Sequence, residues 1–227
     1  MSDEDASRYL SYDLENSKKV NKYYRVTKTT NGTTTTEISE EEATNATKNI
    51  ATRGASYTTT YKNIQISATP TGTKNRYSIE LTNLWLKSPY IKSYDVIAIR
   101  TDDATVLEGT QNGVQSYIYT NGSVGYVYYS NNGTNMVKAS NGFGISMNLV
   151  DAANTFECDI EATVTATTEW ATVYGSYQHA ATNVTLAQSK SYTISHNGYG
   201  KVINFATAVQ NDYDGMQGVS IALDYTA

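Results

Sequence analysis

From Tyr57 to the C-terminus, apolar and polar residues alternate with a period of two. The clearest run is Phe156-Cys158-Ile160-Ala162-Val164-Ala166, interleaved with Glu157, Asp159, Glu161, Thr163 and Thr165. Successive side chains of a strand point to opposite faces, so this run predicts a long strand with one dry and one wet side. Tyr77-Ile79-Leu81 repeats the pattern near the start, and Val219-Ile221-Leu223-Tyr225 repeats it at the end. Val96–Ile99 is apolar at every position and predicts a central strand buried on both faces. Asn-Gly begins at Asn31, Asn112, Asn121, Asn132, Asn141 and Asn197, and this dipeptide accepts the positive φ values of tight hairpin turns. Pro70 and Pro89 both fall in predicted connections, so neither interrupts a strand. The Asn-Gly spacings are irregular, which argues against a repeat of fixed period. The expected fold is all-β, an antiparallel β-sandwich of about ten strands, with an open-ended jelly roll as its nearest rival.

The first 55 residues read differently, with nine acids and eight bases concentrated in them. A boundary near Arg53-Gly54 is expected, separating a charged segment, 1–55, from the sandwich, 56–227. Within that segment Tyr23–Thr30 and Thr33–Ile38 flank Asn31-Gly32 and predict a hairpin. Ser39-Glu40-Glu41-Glu42 follows, with a hydroxyl at an N-cap and a carboxylate three residues on. A short helix over 40–50 is predicted, its acids placed where a helix dipole favours them. An appendage, stalk or propeptide is the expected role.

Composition narrows the function classes. The chain has 227 residues with 17 Lys and Arg against 22 Asp and Glu, a net charge of -5, which excludes a basic nucleic-acid binder. No apolar run approaches the roughly 18 residues of a membrane helix. Met1-Ser-Asp-Glu-Asp-Ala is acidic and polar, not a signal peptide, and fits a trimmed signal with an added Met as well as a cytosolic start. The single cysteine, Cys158, sits in phase with apolar residues and is expected to be a small buried hydrophobe.

Catalytic chemistry finds little purchase. The two histidines are His179 and His196; no Gly-x-Ser-x-Gly, zinc ligand set or phosphate-binding glycine loop accompanies them, and both are expected to be strand-end residues. Glu157, Asp159 and Glu161 share one strand face, with Glu169 after them, and predict an acidic ridge. A glycosidase would need two such groups facing each other across a cleft, which spacing along one strand does not provide. For a metal the pattern offers Asn211-Asp212-Tyr213-Asp214-Gly215, where Asp212 and Asp214 are candidate calcium ligands, although the bidentate Glu of an EF-hand loop is missing and an Asx turn competes. Asp102-Asp103 reads as a solvated turn. A non-catalytic protein with no required cofactor is expected.

The unusual number is 20 Tyr against 3 Phe and 2 Trp. A tyrosine keeps a hydroxyl for water or ligand, so it suits a face with one wet end. Tyr117, Tyr119, Tyr126, Tyr128 and Tyr129 lie on two strands joined by Asn121-Gly122, and parity within each strand predicts a shared tyrosine face for sugar stacking or protein contact.

Four segments carry a resemblance: Ser93–Arg100, Asn141–Val150, Ala171–Ala180 and Tyr213–Ser220. Over about residues 85–225 the chain resembles a group of uncharacterised secreted β-rich proteins of clostridia and related Gram-positive bacteria, which implies export and no particular activity. Residues 1–55 resemble the hairpin-plus-helix leaders of such bacteria, and Tyr174–Leu186 is similar to a segment of lactococcin 972-like bacteriocins, from which no residue role carries over. The expected function is a secreted or cell-surface module that binds an extracellular glycan or surface protein. One alternative is a β-pore-forming toxin or bacteriocin-like protein, for which Tyr57–Ser67 and Phe156–Thr167 are long enough to span as strands and a membrane becomes a partner. Another is a self-assembling filament subunit whose N-terminal hairpin completes a neighbour's sheet, without a Leu-Pro-x-Thr-Gly wall-sorting signal.

Overall fold

The computed structural model describes residues 12–30, 32–48, 58–195, 202–215 and 217–227. Strands are numbered along the chain. One sheet contains β1 (Lys18–Thr29), β2 (Gly32–Ile38), β3 (Thr58–Pro70), β4 (Arg76–Lys87), β7 (Asn112–Tyr119), β8 (Val124–Tyr129) and β11 (Ala153–Ala166), in the order β2-β1-β3-β4-β11-β7-β8, with β6 (Ala104–Val106) also paired to β11. The second contains β5 (Tyr94–Asp102), β9 (Met136–Ala139), β10 (Gly142–Asn148), β12 (Thr172–Gln178) and β15 (Gln217–Ala222), in the order β15-β12-β5-β10-β9. A small ribbon pairs β13 (Tyr192–Ile194) with β14 (Ile203–Phe205), and the helices are α1 (Glu40–Lys48), α2 (Leu186–Ser189) and α3 (Thr207–Gln210). Pairing within these sheets is antiparallel, and the protein is an all-β sandwich.

The period-two runs set the inner faces. On β11, Phe156, Cys158, Ile160, Ala162, Val164 and Ala166 are all buried, against Ile64, Ile66, Ile79 and Leu81 on the same sheet and Ile97, Ile99, Phe143 and Ile145 on the other. Each large side chain removed from water in this way contributes about 1.5–3 kcal/mol. β5 is central and dry on both faces. Its Ile97 and Ile99 enter the main core, while Val96 and Ala98 pack under Tyr192, Ile194, Val202, Ile203 and Tyr213.

The N-terminal hairpin forms the last two strands of the large sheet. β1 pairs with β3 from Lys18↔Ala68 to Lys28↔Thr58, Tyr24 and Val26 are buried, and the Tyr24 hydroxyl donates to the Gly218 carbonyl at 3.0 Å. The expected boundary near Arg53-Gly54 lies outside the described residues. Ser39 caps α1 as its sequence implies: its Oγ accepts the Glu42 N–H at 3.1 Å, and Arg25 pairs with Glu42 at 2.8 Å. The predicted end of this helix, residues 49 and 50, is outside the described residues.

The Asn-Gly dipeptides do not share one role. Gly32 opens β2 opposite Thr29, Ser140-Asn141 joins Ala139 to Gly142, and Asn121-Gly122 belongs to the β7–β8 loop. Asn132-Gly133, however, lies in a crossover between the sheets, and Asn112-Gly113 begins strand β7. A side chain at Gly113 would put its Cβ 2.8 Å from the Asp159 carbonyl oxygen, so this glycine serves close strand approach instead of a turn. Asn197-Gly198 is outside the described residues.

Candidate ligand-binding face

Hairpin β7–β8 forms one margin of the large sheet, and its register decides which tyrosines meet solvent. A two-residue Asn121-Gly122 loop would have placed Tyr117 and Tyr119 on the same face as Tyr126. The strands instead close with Tyr119 opposite Ser123, a three-residue loop with Gly122 at φ 83°, and the pairs run Ser116↔Tyr126 and Tyr117↔Gly125. One residue of register moves a side chain to the other face of the sheet.

The predicted tyrosine face is therefore split. Tyr126 and Tyr128 point outward, 56% and 79% exposed, with ring centroids 6.3 Å apart and planes inclined by 21°. Exposed Val124 and Ile118 pair beside them. Tyr117, Tyr119 and Tyr129 pack against the core instead, Tyr117 and Tyr119 edge to face at 5.3 Å. Burial raises the phenol of Tyr129 above its ordinary value.

The acidic ridge lies next to the outward rings. Strand register gives one row Tyr128–Val114–Asp159–Thr82 and another Asn112–Glu161–Glu80, while Glu157 pairs with both Ser116 and Leu84. A groove of about 190 Å³ runs between Tyr128, Val114, Asn112, Asp159, Glu161 and Glu80. Asn112 Nδ2 donates to Glu161 Oε1 at 2.8 Å. Burial pushes the Asp159 carboxyl up to about 7; a hydrogen bond from Thr82 opposes this, and the charges of Glu157 and Glu80 add to it. Its Oδ1 is buried with no hydrogen-bond partner among the described residues. Glu80 is raised as well, by burial and by the charges of Glu161 and Glu157, against Lys19 and a hydrogen bond from Ser67. A carboxyl that titrates near neutrality can donate or accept a hydrogen bond, and the stacked rings beside it offer an apolar platform. Sequence parity located the ridge on β11; Glu80 joins it only through pairing between β4 and β11.

The other charged constellation is internal. Lys62 and Asp214 are paired at 3.0 Å with both side chains fully buried, and Lys62 Nζ lies 5.1 Å from the Trp85 ring centroid and 4.8 Å from that of Tyr177. Trp85 Nε1 donates to the Tyr177 hydroxyl at 3.1 Å, and that hydroxyl donates to Asp95 Oδ2. Asp95 Oδ1 also accepts the Ala180 N–H and lies 2.9 Å from His179 Nδ1, while His179 Nε2 is buried without a partner among the described residues. Burial raises the Tyr177 phenol well above its ordinary value, and the Asp95 charge raises it further. Lys62, Asp95 and His179 share the parity of Ile64, Ile97 and Tyr177, so charged residues in phase with apolar ones were the signal that could have revealed the network.

The candidate calcium ligands are engaged within the protein. Asp214 Oδ2 takes Lys62 and its Oδ1 takes the His179 backbone N–H at 2.8 Å, while Asp212 Oδ1 takes the Thr182 hydroxyl at 3.0 Å. Among the described residues no group of three or more His, Cys, Asp or Glu is placed to hold a metal ion. Asp102 pairs with Arg100 at 2.8 Å, Glu169 is exposed, and His196 lies outside the described residues. Cys158 is buried, and burial raises its thiol, followed by the charge of Asp95. No helix among the described residues is long and apolar enough to cross a membrane, which says nothing of a β-barrel.

No protein-family model and no curated protein matches the chain. Among solved structures, a pore-forming protein aligns over 95% of this chain and 99% of its own at 6% identity and a TM-score of 0.30. The enzymatically active domain of bacteriophage CBA120 tailspike protein 4 aligns over 67% of this chain at 9% identity and a TM-score of 0.26, and the match spans 18% of that protein's length. Clostridium perfringens delta-toxin aligns over 68% of this chain and 82% of its own at 7% identity and a TM-score of 0.22. At these scores the likenesses bear on neither the architecture nor the activity.

Proposed function

We propose that the protein is a secreted, non-catalytic binding module that holds an extracellular glycan on the outer face of the β7–β8 hairpin. The observation supporting this reading is the exposed, near-parallel pair Tyr126 and Tyr128, of which Tyr128 borders a groove lined by Asn112, Asp159 and Glu161. The rings supply a stacking surface for pyranose faces, and the amide and carboxyls supply hydrogen bonds for hydroxyls. Titration of the whole chain with cell-wall and plant polysaccharides tests the reading. Tyr126→Ala with Tyr128→Ala weakens binding at least about tenfold, equivalent to about 1.4 kcal/mol. Undiminished affinity in this double variant refutes it. Liposomes are the parallel arm: dye release by the wild-type chain would replace the glycan reading with a pore-forming one.

A further inference from the structure

We infer that the protein has a second ligand site, a groove of about 740 Å³ between the N-terminal hairpin and the β14–α3 segment, built for a neutral saccharide. The inference shares only its ligand class with the glycan reading above, because the two sites have no residue in common. Lys28 and Thr33 of the N-terminal hairpin supply one wall, Phe205, Asn211 and Tyr213 supply the other, and Gln178 lines the groove at the end of β12. The volume falls in the range of small-molecule sites.

Three observations define the ligand. Gln178 is 6% exposed; its Nε2 donates to the Asp214 carbonyl at 3.1 Å, which orients the amide and leaves Oε1 buried without a donor among the described residues. A buried acceptor in that state has the capacity to take an O–H or N–H from outside the protein. The nearby charges are already engaged: Lys28 Nζ donates to the Ala181 carbonyl at 2.7 Å and lies 4.7 Å from the Tyr90 centroid, while both Asp214 oxygens hold Lys62 and the His179 amide. The remaining lining is mostly amide, hydroxyl and aromatic, suited to a neutral partner. Phe205 stacks on Tyr213 at 4.0 Å and 16°, and Phe205, the more exposed of the two, provides an apolar surface for a sugar ring.

The test uses the full chain, labelled for two-dimensional amide NMR, with cellotetraose and tetra-N-acetylchitotetraose as probes. The first carries only hydroxyl donors and the second adds acetamide N–H groups, so the probe that binds tells which donor meets Gln178. Shifts of Gln178, Ala181, Phe205 and Asn211 are expected with at least one probe. Phe205→Ala and Gln178→Leu each weaken this response tenfold or more, and Tyr126→Ala with Tyr128→Ala leaves it unchanged. Absence of these shifts with both probes overturns the inference, as do shifts confined to residues 124–128 and 159–161, which would leave the β7–β8 reading standing. Should Gln178→Leu fail to fold, Phe205→Ala decides: undiminished binding by a natively folded variant also overturns the site.

Discussion

Replacing Asp159 by Asn tests the electrostatics of the sheet face quantitatively. The Asp159 carboxyl titrates at about 7 in the folded chain against an ordinary 3.8, chiefly because it is buried and also because Glu157 and Glu80 lie near it. Native protein therefore keeps this proton over a window in which the unfolded chain has released it. Stability is fully present below about pH 4, falls as pH rises toward 7, and levels off above that. A difference of this size corresponds to at most about 4 kcal/mol, and relaxation of the neighbouring acids and water access bring the expected loss to about 2 kcal/mol. Asn keeps the shape and cannot ionise. The variant should match wild type at about pH 4 and exceed it by about 2 kcal/mol at pH 8, a rise of roughly 4–8 °C in melting temperature for a domain of this size. Urea and thermal unfolding across the pH range measure the difference directly. A gap that does not change with pH, or a variant less stable than wild type at pH 8, would refute the assignment.

Three further outcomes concern the buried ion pair, the cysteine and the first helix cap. Lys62→Met leaves Asp214 buried without its cation and should cost about 3–5 kcal/mol in urea unfolding, with part of the loss recovered in Lys62→Met/Asp214→Asn. Cys158 should remain unmodified by a thiol reagent in the folded protein and react only on unfolding, because the raised thiol is also buried; rapid labelling under native conditions would contradict this. Ser39→Ala removes the α1 cap and should lower stability by about 1 kcal/mol, with Ser39→Asn restoring most of it.

Much of the architecture was legible in the chain because strand burial is a local matter of parity. Alternation along Phe156–Ala166 named six inward residues of β11, all but Ala153 of those it gives to the core, and the doubly apolar Val96–Ile99 marked a strand covered on both sides. The hairpin and the Ser39 cap were also legible, since both depend on residues within a few positions of one another. Turn positions were less so. Asn112-Gly113 has the chemistry of a turn but sits in a strand, where the lack of a Cβ admits the neighbouring backbone.

What joins to what was decided by tertiary structure. Parity orders side chains within one strand, but a loop one residue longer shifts the partner strand, and this divided five tyrosines into two outward and three inward. Residues 1–55 are dense in charge, and the pairing of β1 with β2 on one side and β3 on the other is what places Tyr24 and Val26 in buried positions. Pairing of β4 with β11 brings Glu80 to Glu161 across 81 positions of sequence. Lys62, Asp95, His179 and Asp214 converge from four separate places in the chain. The sequence alone determined which residues avoid water; the packing of two sheets determined which of the remaining polar groups face one another, because that depends on long-range register rather than on local periodicity.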